Sequence, residues 1–146
     1  MKKFILSLLI IASIFIITGC GDAKLSENMG NSNEEVKQVK AIINNEEYIV
    51  NLDNNETAKK FISILPQELI MNELNGNEKY IYLNTSFPTN SSNPKMINAG
   101  DLMLYGDDCL VIFYKSFVTS YSYTKIGHID NLPDLGNGNI RVKFEK

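Results

Sequence analysis

The chemistry open to this 146-residue chain is limited first by what it carries only once: one histidine, His128, and one arginine, Arg141. A single imidazole cannot assemble a multi-histidine metal site. Cys109 and His128 could in principle form a thiol–imidazole pair, yet both stand in strand-like sequence without a nucleophile motif. The run Cys109-Leu-Val-Ile-Phe reads instead as a strand with a buried, inert thiol. Asp101, Asp107 and Asp108 are close together but read as turn aspartates. Neither a phosphate loop nor a dinucleotide fingerprint occurs. No catalytic residue, no metal and no cofactor is therefore expected. What remains is aromatic: Tyr105, Phe113, Tyr114, Phe117, Tyr121 and Tyr123 fall within one short stretch. Such rings line ligand pockets, and they also fill barrels. Strand alternation turns Phe113 and Tyr114 to opposite faces, with Phe113 on the core side. Phe117 to Tyr121 has no turn glycine and reads as an open loop of contact groups, where binding tends to sit. The sequence thus places a site for a peptide segment or small molecule at Tyr105, Phe117, Tyr121, Tyr123 and His128.

The elements that must hold these residues are mostly strands. Val39, Ala41 and Ile43 alternate with polar neighbours, Asn44-Asn45 turns, and Tyr48, Val50 and Leu52 alternate again. This predicts a hairpin. Asp53-Asn54-Asn55 then caps a helix whose Ala58, Phe61, Ile62 and Leu65 share one face, and Pro66 stops it. Further strands are expected at Leu69–Leu74, Lys79–Leu83, Asp101–Tyr105, Cys109–Tyr114, Tyr123–Ile129 and Ile140–Phe144, with Thr85–Lys95 as a loop. Gly106-Asp107-Asp108 is a hairpin turn, and Gly127 marks a bend or bulge. Many short strands with regular turns and one short amphipathic helix predict a mainly β chain closed into a small barrel.

The N-terminus reads as an address. Lys2 and Lys3 precede the apolar run Phe4–Ile17, which ends in Ile17-Thr18-Gly19-Cys20. The run is shorter than the ~20 residues of a comfortable membrane span. Charged start, short apolar stretch and small residues are the parts of a secretory signal, and Ile-Thr-Gly-Cys resembles a bacterial lipobox. Residues 1–19 are read as a lipoprotein signal peptide. Residues 20–35 are read as a lipidated Cys20 with a Gly/Ser/Asn/Glu-rich tether, and residues 36–146 as the folded domain. Two fatty acyl chains, such as palmitate, hold a protein to a bilayer where one does not, at about 0.8 kcal/mol per buried CH₂. The expected location is the cell membrane, lipid-anchored and facing outside the cytoplasm. The net charge of −3 becomes more negative when Lys2 and Lys3 are removed, which argues against nucleic acid as a partner.

The blocks Asn72-Glu-Leu-Asn-Gly-Asn-Glu-Lys-Tyr80, Ala99-Gly-Asp-Leu-Met-Leu-Tyr-Gly106, Leu110-Val-Ile-Phe-Tyr114 and Tyr123-Thr-Lys-Ile-Gly-His-Ile129 resemble the bacterial cyclophilin-like fold proteins over roughly Val36 to Glu145. The resemblance implies a small cyclophilin-like closed β-barrel and says little about activity. It also raises an alternative, a weak peptidyl-prolyl isomerase acting on exported proteins. Cyclophilins engage the prolyl amide with an arginine early in the barrel. Here Arg141 comes in the last strand, and Lys95 lacks the planar fork. The missing early-barrel arginine disfavours the isomerase, and the aromatic crowding on the family fold points to a non-catalytic binding module.

Overall fold

A computed structural model describes residues 35–146. The segments read as signal peptide, lipidated Cys20 and tether lie before residue 35, outside the described residues. The elements run β1 (Gln38–Ile43), β2 (Glu46–Leu52), α1 (Glu56–Ser63), β3 (Gln67–Leu74), β4 (Glu78–Tyr82), β5 (Met96–Ile97), β6 (Asp101–Tyr105), β7 (Cys109–Phe113), β8 (Phe117–Val118), β9 (Thr124–Ile129) and β10 (Ile140–Glu145). Eight strands close into a barrel in the order β1-β10-β3-β4-β7-β6-β9-β2, and β5 pairs with β8 as a separate ribbon. Closure leaves the barrel with no unpaired sheet edge.

Local sequence explains the joints. Ile43 pairs with Glu46, so β1 and β2 are joined by Asn44 and Asn45 alone. Both have positive φ, the geometry of the tight hairpin turn that asparagine tolerates. Asn55 caps α1: its side-chain oxygen accepts from the Ala58 amide at 2.8 Å, a contact worth about 1 kcal/mol in a typical helix. Its amide nitrogen reaches the Lys125 carbonyl at 2.8 Å and ties the helix to β9. Phe61 is fully buried and meets Phe144 edge to face at 5.1 Å.

The interior is filled by Val39, Ala41, Ile43, Val50, Phe61, Met71, Leu102, Leu104, Leu110, Ile112, Ile126, Val142 and Phe144 among others. A second apolar cluster, Ile97, Met103, Cys109, Val111, Phe113 and Tyr123, lies apart from it. Alternation accounts for the split. On β6, Leu102 and Leu104 point in while Met103 points out; on β7, Leu110 and Ile112 point in while Cys109, Val111 and Phe113 point out. The outer face of β4-β7-β6 is thus apolar, and part of it is covered by the β5–β8 ribbon through Ile97 and Phe117.

Two expectations are corrected here. Phe117–Tyr121 is not an open loop: Phe117 and Val118 form β8, paired with Ile97 and Met96. That pairing joins residues far apart in the chain, so no local turn signal announces it. Phe113 is not on the barrel side but on the outer face of β7, in the second cluster, and alternation does not set Tyr114 against it. Tyr114 lies past the end of β7, where alternation no longer applies, and both rings are buried. The bend at Gly127 is real. Gly127 faces Leu102 while Lys125 faces Met103, so Ile126 is the extra residue of a bulge between β6 and β9.

Candidate functional site

The outward side chains of β4, β7 and β6 fall into rows fixed by register. Tyr82 faces Cys109, which faces Tyr105; Tyr80 faces Val111, which faces Met103; Glu78 faces Phe113. Strands about 4.8 Å apart put the two flanking side chains of a row about 10 Å from each other, with β7 as the floor between them. A groove of about 360 Å³ runs over this floor. Its lining includes Tyr80, Tyr82, Tyr105, Phe117, Tyr121 and Tyr123, and it ends at Glu78 and the β3–β4 turn with Asn75 and Asn77. That volume is at the lower end of the range for small-ligand sites.

The rings support one another. Tyr105 lies 6.2 Å from Tyr121, edge to face, and 5.6 Å from Tyr123. Phe113 lies 5.3 Å from Tyr123 and 5.7 Å from Phe117. Tyr82 meets Tyr80 at 6.1 Å. Despite these contacts Tyr82 is 63% exposed, Tyr121 61% and Tyr105 45%. Tyr123 differs: it is buried in the second cluster, and its backbone bonds Ser92 in both directions at 3.0 Å.

Four of the five residues expected at the site, Tyr105, Phe117, Tyr121 and Tyr123, come together in the groove. His128 does not join them. It pairs with Asp101 across β6 and β9, and its Nδ1 lies 3.3 Å from Asp101 Oδ1. Asp101 and Tyr105 are at opposite ends of β6, about 13 Å apart at the rise of a strand. The same distance keeps Cys109, opposite Tyr105, away from His128. Asp101 is not a turn residue: it opens β6, and its Oδ2 closes the turn before the strand by accepting from the Asn98 amide at 2.8 Å. Burial, then the nearby Asp108 and Glu78 carboxylates, push the Cys109 thiol up to about 11, which matches an inert thiol.

The strand expected at Lys79–Leu83 is β4, but sequence reasoning did not bring Tyr80, Tyr82 or Glu78 to the site. Glu78 is half-buried at the groove end. Among the described residues it has no ion pair and no side-chain hydrogen bond. Burial, then repulsion from the Glu73 carboxylate, push its carboxyl up to about 7 from an ordinary 4.5. The groups around it are Glu73 on β3, Tyr80 and Tyr82 on its own strand, Cys109 on β7, and Tyr114 and Tyr123; Lys79, next in the chain, turns to the opposite face and is buried on Glu73. Next to it, the Asn77 side-chain oxygen is buried without a partner.

A stability effect follows. The folded form keeps the Glu78 proton to higher pH than the unfolded chain, so its contribution is complete below about 4.5 and is lost as pH rises to about 7. Glu78→Gln should therefore stabilise the protein at pH 8, by about 1 kcal/mol after allowing for water screening of a half-exposed group, and change little at pH 4. Urea unfolding at the two pH values checks this.

A family model described as the cyclophilin-like family matches residues 41–145. No curated protein and no solved structure matches the chain.

Proposed function

This chain belongs to the cyclophilin-like family, and from that premise we propose that it is a lipid-anchored extracytoplasmic binding module, taking a peptide segment or small molecule without covalent chemistry. One observation carries the reading: a groove walled by tyrosines that stay exposed, set on a rigid barrel face. Exposed apolar surface gathered in one concavity marks a binding site more often than the same residues scattered singly.

The groove also bears on the isomerase alternative. Its lining contains no arginine and no lysine. Arg141 is on β10, ion-paired with Glu68, and β3 stands between β10 and β4. A twisting prolyl amide in this groove would find no cationic donor to stabilise it. The anchor rests on the N-terminal pattern alone, with Cys20 as the acylated residue.

Three measurements test the reading. In a protease-coupled assay the protein should leave a prolyl peptide at its uncatalysed rate, with a time constant of roughly tens to hundreds of seconds. Cys20→Ser should release the protein from the membrane fraction. For a peptide selected from an unbiased display library, Tyr82→Ala with Tyr121→Ala should weaken binding by about thirtyfold or more, the scale of a hot spot. Both rings are exposed, so the double variant should keep its unfolding midpoint. Unchanged affinity would remove the groove as the site. Tyr123 is unsuited to this test, because truncating a buried ring costs about 3–5 kcal/mol.

A further inference from the structure

We infer that the groove selects a cation, and that its occupant is an extended polypeptide segment whose lysine or arginine side chain is seated against Glu78. The inference rests on the groove being the binding site and adds what it binds.

Three observations lead there. First, Glu78 is a carboxylate half withdrawn from water with no cation beside it among the described residues, although its domain supplies partners elsewhere: Glu73 has Lys79, Glu68 has Arg141, Glu47 has Lys40. A group left in this state gains from any guest that brings a positive charge. Second, the surroundings are those that favour an organic cation. Tyr80, Tyr82 and Tyr123 line the same groove, and tyrosine faces attract ammonium and guanidinium groups. The buried Asn77 oxygen without a partner adds an acceptor at the same end. Third, the rows favour a chain over a small amine. Glu78, Tyr80 and Tyr82 follow one another at every second residue of β4, about 6.7 Å apart. Side chains i, i+2 and i+4 of an extended segment have that same spacing, so a basic side chain at the Glu78 row puts apolar ones at the tyrosine rows. The net charge of −3 attracts a basic segment from a distance as well.

Burial raises the Glu78 carboxyl to about 7, and a bound cation favours its ionised form. Lysine binding should therefore strengthen from pH 5.5 to pH 8 and release a proton. The other titratable groups around Glu78 are Glu73, Cys109, Tyr114 and Tyr123. Among them Cys109 and Tyr114, pushed up to about 11 and about 12, stay neutral throughout that range.

The test uses the full chain in detergent micelles and calorimetry at pH 8 with blocked peptides Ac-Ala-X-Ala-Tyr-NH₂. X is lysine, its uncharged isostere norleucine, or glutamate; n-butylammonium is the free-amine arm. The lysine peptide should bind about tenfold tighter than the norleucine peptide, and the glutamate peptide weakest. Glu78→Gln should bring the lysine peptide down to the norleucine value. Binding of all three peptides with equal affinity, or a lysine preference that persists in Glu78→Gln, would overturn the cation assignment and leave the groove reading standing. An n-butylammonium affinity equal to that of the lysine peptide would overturn the polypeptide occupant. No binding by any of them would overturn the assignment, and the library selection above then decides the groove reading separately.

Discussion

Lys79→Met should lower the unfolding free energy by about 3 kcal/mol, near the low end for breaking a buried ion pair because Glu73 keeps some contact with water. Lys79 is fully buried, which is rare for lysine. Its ammonium is ion-paired with Glu73, donates to the Gly136 and Gly138 carbonyls at 2.6 and 2.7 Å, and stands 4.9 Å over the Tyr114 ring. Tyr114 in turn donates its hydroxyl to Glu73 at 2.8 Å. One side chain thus ties β4 to β3, to the segment after β7 and to the β9–β10 connection. Methionine fills the space but leaves the Glu73 carboxylate without its countercharge and two carbonyls without their donor. Urea titration of the variant gives the loss directly. Adding Glu73→Gln should recover part of it, since the stranded charge goes with it. The pH dependence provides a second check. Burial alone would raise Glu73, but the hydrogen bonds from Lys79 and Tyr114 and the Lys79 charge outweigh it and hold the carboxyl below its ordinary value. A lowered carboxyl stabilises the fold above that ordinary range and loses the contribution as pH falls through its folded value. The wild type should weaken in acid along this course, and the Glu73→Gln/Lys79→Met chain should weaken less, keeping only the loss from other lowered carboxyls such as Asp134 and Glu145.

Gly127→Ala is expected to be of similar size, about 3 kcal/mol or more at the upper end of overpacking. An added Cβ would stand 2.3 Å from the Asn51 carbonyl oxygen and 3.1 Å from the Leu52 Cα. These are backbone atoms of the adjacent strand β2, so no side chain can swing aside. The barrel closes at this seam, where only three residues pair β2 with β9, at Val50–Ile129, Asn51–His128 and Leu52–Gly127. Pushing the seam apart should also loosen the turn at Asp53, whose amide donates to Ile126 at 2.9 Å. Gly106→Ala is the comparison. Nothing lies within 4 Å of its missing Cβ, and only its φ of +64° opposes a side chain, so about 1 kcal/mol is expected. Thermal unfolding of the two variants side by side separates crowding from backbone strain. Equal midpoints would remove the account of Gly127.

The barrel was legible in the sequence because its signals are local. The Asn44-Asn45 hairpin, the Asn55 cap with the Ala58 and Phe61 face, and the Gly106 turn each depend on residues a few positions apart. The β5–β8 ribbon was not legible, since two-residue strands have no period to read and pair across some twenty residues of chain. His128 was misjudged for a related reason. It shares a short block with Tyr123, but the bulge at Ile126 puts Ile126 and Ile129 both inward, and the length of β6 carries the imidazole to the other end. Glu78 and Lys79 were invisible as a pair of opposites. One turns into the groove and the other into the wall because they are consecutive in a strand, and composition alone assigns both to solvent.

That alternation has a practical meaning for the whole domain. On β4, β6 and β7 every second position answers to the barrel, and the others face outward, to the groove or to the buried second cluster. Specificity is exchangeable at the outward positions that line the groove outside that buried cluster, Glu78, Tyr80, Tyr82 and Tyr105, with the inner set untouched. A single-residue insertion in β7 would do the reverse, turning the stuffing of the barrel outward and the recognition surface inward at one stroke.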